Sequence, residues 1–370
     1  MIPNPDPLPL PAPVGLLTAL LVLTFTLHIL AMNVTVGGTV IAVVSDYLGR
    51  RRQDERYRRL AAHVVALLPL TLAATITLGV APLLFIQTLY GQFFYTSSIL
   101  LAWPWMAVVP LVVVAYYGIY LYAWQGDRLG DWRIWVGAGS ALLLIVVAFL
   151  YVNNITLMLT PDRWRDIYAS HSNGLFLNTG EGTLVPRLLH FLVAAPAVAG
   201  AALVVYALFM KNRSPEGYAT WATRYGAVWF LVPTLIQAAL GPLFLFRLPS
   251  FVRDPYVGDD TLRTALLVAG IGAAVLALVA MAASLRLRNP LPAGLTGGFC
   301  LVATVSLMSV TRHLVRDDYL SPRFSTSSLA VSTQTGMIIL FFLALVGAVV
   351  VVGYMARAIL RAPTETQPEL

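Results

Sequence analysis

The chain has 370 residues, of which 58% are hydrophobic and only 11% charged, with a formal net charge of +7 and a mean hydropathy of +0.78. A soluble domain carries about 25% charged residues, so this composition cannot cover a water-facing surface and reads as a polytopic membrane protein. Cys300 is the one cysteine, which excludes a disulfide framework, a cysteine-based zinc or iron–sulfur site and a CxxCH attachment.

A spanning helix needs about 20 mostly apolar residues. In chain order the sequence predicts nine such stretches, at 14–46, 61–87, 99–124, 134–158, 187–210, 224–246, 261–285, 291–311 and 335–360. The expected fold class is therefore all-α: a polytopic membrane bundle of about nine transmembrane helices, forming one integral domain over 1–370. Residues 1–13 form a Pro-rich N-terminal segment, PNPDPLPLPAP at its core. It lacks a basic start and a small-residue cleavage site and is expected to stay in the mature chain. Residues 361–370 read as a short cytoplasmic tail. No internal repeat stands out.

All basic residues but Lys211 are arginine. The loops and span ends on one side, with the tail, hold 15 of the 24, six of them in DYLGRRRQDERYRR. The positive-inside rule then predicts the N-terminus outside and the C-terminus in the cytoplasm. Arginine-rich loops beside a lipid surface call for no nucleic-acid partner; membrane lipid is partner enough. All 17 Asp and Glu fall in loops, tails or span ends. A proton-coupled transporter or proton-delivery path usually keeps a carboxylate at mid-membrane, and none is available here.

Chemistry must then rest largely on histidine, arginine or a cofactor. His28 lies inside the first span, His190 near the outer end of the fifth and His313 at the outer end of the eighth. A neutral imidazole buried in a bundle is a ready iron ligand; the ordinary alternative is a polar residue bonding a neighbouring helix. Three such residues aimed at one half of a bundle favour ligation. His63, beside the basic loop, reads as interfacial, and His171 as a loop residue. Gly37, Gly38, Gly79 and Ala81 remove volume near His28, which suits either a flat cofactor or close helix packing. Arg263, Arg312 and Arg316 present planar forks suited to carboxylates such as haem propionates, or else snorkel to the interface.

These residues resemble subunit I of the cytochrome bd quinol oxidases. The first span, with His28 and the T-x-G of Thr35 and Gly37, is similar to that family's opening haem-ligating helix. LGVAPLLFIQTLYG at 78–91, DRLG at 127–130, VNN at 152–154, RLLHFLVAAPAVAG around His190 and RHLVRDDYL with SSLAVS near the end are degenerate counterparts of its other motifs. The resemblance covers nearly the whole chain. It implies nine spans, two or three haem b groups, and His28, His190 and His313 at ligand positions.

The departures matter as much. Helix three, WPWMAVVPLVVVAYYGIYLYAW, holds no acid where the family has a glutamate pair. Gln87 stands where the family has Glu, and Ala265 where it has the Met ligand, with His171 the nearest substitute. His313 falls at or next to a ligating Glu, and the quinol-binding loop shrinks to LPSFVRDPYVGDD. Oxygen reduction consumes protons, so these losses point to a haem b subunit that passes electrons between the quinone pool and a redox partner on the outer face, a cytochrome c or iron–sulfur protein. Its expected seat is the bacterial inner membrane. Trp164, Tyr168, Arg247 and Arg253 are candidates for docking that partner, or for an ordinary interfacial belt. The alternatives are a working quinol:oxygen oxidoreductase subunit, with protons supplied by a partner, and a haem-free transporter or scaffold.

Overall fold

The computed structural model describes residues 2–170 and 173–361, without the side chains of 127, 356 and 358–361. Among these residues, nine helices are long and apolar enough to cross a membrane. They are α1 (Val14–Arg52), α2 (Glu55–Leu100), α3 (Ala102–Trp124), α4 (Trp132–Met158), α5 (Leu184–Met210), α6 (Tyr218–Arg247), α7 (Thr261–Arg286), α8 (Leu291–Leu320) and α9 (Thr335–Arg361). The chain is an all-helical, multi-pass membrane protein. In hydrocarbon a helix is the economical answer, because it satisfies its own backbone polar groups.

Successive spans run in opposite directions, which gives the bundle two ends. The arginine-rich end gathers the α1–α2 turn. The opposite end, where α1, α5 and α7 begin and α2 and α8 finish, is called the site end below. At the tight α1–α2 turn, Gln53 adopts a left-handed φ of 52° and the Asp54 side chain caps α2 by accepting from the Arg56 amide at 2.9 Å. Asp260 caps α7 in the same way, accepting from the Arg263 amide at 2.8 Å. Such side-chain caps satisfy amides that the first helical turn leaves free.

α1 is the hub: it packs against α2, α4, α5 and α8, while α3 pairs with α4, α5 with α6, and α7 with α8. The α1–α5 crossing is close because of Gly37. A Cβ there would run into the Ala195 backbone carbonyl, so Gly37 serves helix packing. Gly38 meets only Leu68 and Val64, at ordinary contact distances of 3.6 and 3.8 Å.

Two helices outrun their expected spans at the site end, while at the other end α1 runs six residues past 46 and α2 and α6 begin six residues early. α2 continues past 87 to Leu100, bending at Tyr90 (φ −135°, ψ 30°). At 46 residues a straight α2 would reach about 69 Å, more than twice a bilayer core, so its last turns lie along the site end. They remain helical because Tyr90, Phe93, Phe94 and Leu100 bury into one apolar cluster with Val315, Tyr319 and Leu320. Those same residues explain why α8 runs on to Leu320. The Pro-rich segment is also tied down: Leu10 forms a parallel bridge with Val331, and Leu10 and Ala12 are buried.

α9 is apolar on every side, and of its side chains described all but Ile338, which packs on the site-end cluster, are exposed within the chain. The acids do lie near helix ends, as expected, yet two are enclosed. Asp46 is held by Arg133 at 2.8 Å and Arg50 at 3.4 Å, and Asp318 belongs to the site end.

Gly37→Leu is expected to force α1 and α5 apart and lower the thermal unfolding midpoint in detergent, at a cost of roughly 1–3 kcal/mol. Gly38→Ala should leave that midpoint unchanged.

Candidate functional site

His28 lies fourteen residues into α1, about 21 Å along the helix. Its Nδ1 is 3.0 Å from the Thr75 carbonyl of α2. A carbonyl only accepts, so Nδ1 carries the proton and Nε2 keeps its lone pair. This is the arrangement that orients a ligating imidazole. Gly79 makes it possible, since a Cβ there would stand 2.8 Å from Cε1 and 2.9 Å from Nδ1. Thr75 is itself held by Thr35 at 2.8 Å, which gives the T-x-G pattern a physical role. Nearby on α1, Asn33 is buried with its Oδ1 unpartnered.

His190 lies six residues into α5. Its Nδ1 is buried without a hydrogen-bond partner, while Gln237 of α6 donates to its backbone carbonyl at 2.6 Å. One turn earlier on the same face is Arg187, only 6% exposed. Its guanidinium lies 4.9 Å from the Phe244 ring centroid, with Nε and Nη2 both buried and unpartnered.

α8 brings the remaining groups. Arg312 stacks over Phe25 at 4.2 Å and faces Phe191 at 5.9 Å, so it sits between the helices of His28 and His190. Its charge is close enough to act on His28 and on Arg316 and Arg187. The Nε atoms of Arg312 and Arg316 are buried without partners. Among the described residues, none of Arg187, Arg312 and Arg316 has a carboxylate within ion-pair distance. Three guanidinium groups thus share a low-dielectric region with no paired carboxylate among the described residues; Glu181 acts on Arg187 only from a distance.

His313 is placed differently. Its Nδ1 faces Arg316 at 3.4 Å and its Nε2 faces Asp317 at 3.3 Å, so both ring nitrogens are engaged. Tyr90 donates to the same Asp317. Ligation by His313 would require one of these contacts to open. Arg263 is also engaged. It grips Asp318 through Nε at 3.0 Å and Nη2 at 2.7 Å, Tyr256 donates to the same carboxylate at 2.9 Å, and Nη1 reaches Asp260 at 3.1 Å.

The structure therefore brings His28, Arg312 and Arg316 together, with His190 on the helix whose Phe191 meets Arg312, sets His313 in a polar network beside them, and uses Arg263 as a clamp. No three His, Cys, Asp or Glu side chains gather around one point among the described residues. Isolated histidines on separate helices suit a planar group ligated from its faces better than a bare ion. The buried, unpartnered guanidinium nitrogens suit such a group's carboxylates, and Gly79 keeps room for the His28 ring, so the residues present fit haem. His171 lies outside the described residues. Of the docking candidates, Trp164 is buried, donating to the Leu157 carbonyl at 2.9 Å and packing on Phe93; it cannot present a surface. Tyr168 and Arg247 are exposed.

Sequence reasoning missed Arg187, although its i−3 spacing from His190 places both on one helical face. It also missed Asp317 and Asp318 as partners, which the RDD run after His313 offered only as a loop.

No family model and no curated protein matches this sequence. Among solved structures, the chain is similar to the bd oxidase from Geobacillus thermodenitrificans, with a TM-score of 0.72 and 14% identity over 94% of this chain and 98% of that one. At that identity the likeness establishes a bd-like fold.

Asp318→Asn should leave Arg263 half-matched and release Tyr256. The expected loss is about 3 kcal/mol of stability, read as a lower unfolding midpoint with the secondary structure unchanged below it.

Proposed function

We propose that this chain is a haem b electron-transfer subunit of a quinol-linked membrane oxidoreductase. In this reading two or three haem b groups are held at the site end, with His28 and His190 as ligands, and His313 as a third once its contact to Asp317 opens. Arg312, Arg316 and Arg187 hold the propionates, and Arg263 fixes the neighbouring carboxylate. The observation that carries it is the set of three buried guanidinium groups without carboxylate partners, one of which, Arg312, lies between the helices of His28 and His190. Leaving a buried cation uncompensated costs several kcal/mol, and haem propionates would remove that cost.

Bound haem supplies reversible one-electron chemistry. The protein's part is to orient each imidazole, through Thr75 at His28, to exclude water with the apolar cluster around Tyr90 and Phe93, and to neutralise the propionates. Helix three carries no acid that could deliver protons from the opposite side, which favours transfer of electrons without oxygen reduction. Electrons would pass between the quinone pool and a cytochrome c or iron–sulfur partner at the outer face of the bacterial inner membrane. The N-terminus lies outside in this orientation.

The test is a dithionite-reduced minus air-oxidised spectrum of the purified chain, followed by carbon monoxide. Sharp b-type bands unmoved by carbon monoxide are expected, and His28→Ala and His190→Ala should each remove or alter a band. A carbon monoxide-responsive band would restore the oxidase reading. A folded protein without haem would leave a transporter or scaffold.

A further inference from the structure

Between the histidine site and the arginine-rich end, α1, α2 and α5 enclose a groove of about 80 Å³, whose inner end is lined by Val34 and Thr71. Gly38 and Ile41 form one wall, Leu68 the second, and Ala202, Leu203 and Tyr206 the third. Leu67 at its lip is 49% exposed, so the groove opens toward lipid. Gly38 is what keeps it hollow, since a larger side chain there would fill the space before Leu68 and Val64.

The groove ends at a polar, cationic head. The Tyr206 hydroxyl meets that of Tyr218 at 3.1 Å, and Arg59 lies over the Tyr218 ring at 5.8 Å. His63 packs against Tyr206 at 5.7 Å, held by its Nδ1 donating to the Arg59 carbonyl at 2.8 Å. In the α1–α2 turn Arg50 pairs with Asp46 and Asp131 and Arg56 with Asp54. Arg58 is spent on the Gly49 carbonyl and Gln53, and Arg51 and Arg52 lie on Tyr47 and Tyr57. Arg59 has no acidic partner among the described residues. A narrow apolar channel leading to an unpaired cation matches a ligand with a long hydrocarbon tail and an anionic head. A protein helix, about 10 Å across, is too wide for it.

We propose that this groove binds an anionic phospholipid, with one acyl chain between α1, α2 and α5 and the phosphate on Arg59 beside His63. The headgroup end lies apart from the histidine cluster, and its occupancy does not depend on haem.

Native mass spectrometry of the detergent-purified full chain, titrated with dioleoylphosphatidylglycerol or dioleoylphosphatidylcholine, tests the assignment. The wild type is expected to retain the glycerol lipid preferentially, and Arg59→Gln to weaken it about fivefold, as one interfacial arginine contributes, while leaving the choline lipid unaffected. Ala202→Leu should reduce retention of both by blocking the tail; Gly38→Val serves the same purpose if that variant fails to fold. Equal retention of the two lipids, an unchanged preference in Arg59→Gln, or undiminished binding in a folded groove-filling variant overturns the proposal. So does retention of a long-chain quinone in place of either lipid.

Discussion

Uncompensated positive charge in a low-dielectric interior is the constraint on which the site end depends. Arg187, Arg312 and Arg316 come from two helices and are within electrostatic reach of one another, so their mutual repulsion adds to the desolvation each has undergone. The protein eases this only in part. Phe25, Phe191, Phe244 and Tyr90 present ring faces to the three guanidinium groups, a contact that attracts cations without neutralising them. What remains is a standing demand for negative charge.

The same region shows how carboxylates are used where they do occur. Asp318 receives the Nε and Nη2 edge of Arg263, one nitrogen on each oxygen, and the Tyr256 hydroxyl, so its charge is matched at the boundary of the bundle. Asp317 serves His313 and Tyr90 instead. Neither reaches the three arginines, although both sit within a few residues of Arg316. The polar groups of α8 are thus sorted by helical face: one face ties α7 to the bundle, the other looks toward α1 and α5.

The nine spans were legible because a lipid-facing helix leaves an unbroken apolar run, and most starts and ends fall within a few residues of expectation. The extensions of α2 beyond 87 and α8 beyond 311 were not. Those turns mix tyrosine, serine and charge, and only burial against each other makes them helical. In the site, His28, His190 and Arg312 could be read as a group from position alone. The engagement of Arg263 could not, since Asp318 lies 55 residues away in sequence and only the folded α7–α8 pair brings them together. Gly37 and Gly79 looked alike in sequence but serve different ends: one admits a neighbouring backbone, the other an imidazole ring.

The bridge between Leu10 and Val331 bears on the order in which the protein is made. Hydrogen bonds from Leu10 to Ala330 and from Ser332 back to Leu10 join the first residues to the stretch just before the last span. A ribosome must therefore deliver eight helices before the N-terminal segment finds its partner. Until then the segment ahead of α1 lacks this bridge, although Leu17 and Leu21 can already pack on α2, and α8, which contributes Arg312 and Arg316, has only just arrived. The histidines of α1 and α5, with Arg187, are in place earlier than Arg312 and Arg316. Assembly thus leaves an interval in which the site end is incomplete, and the late-forming bridge closes it.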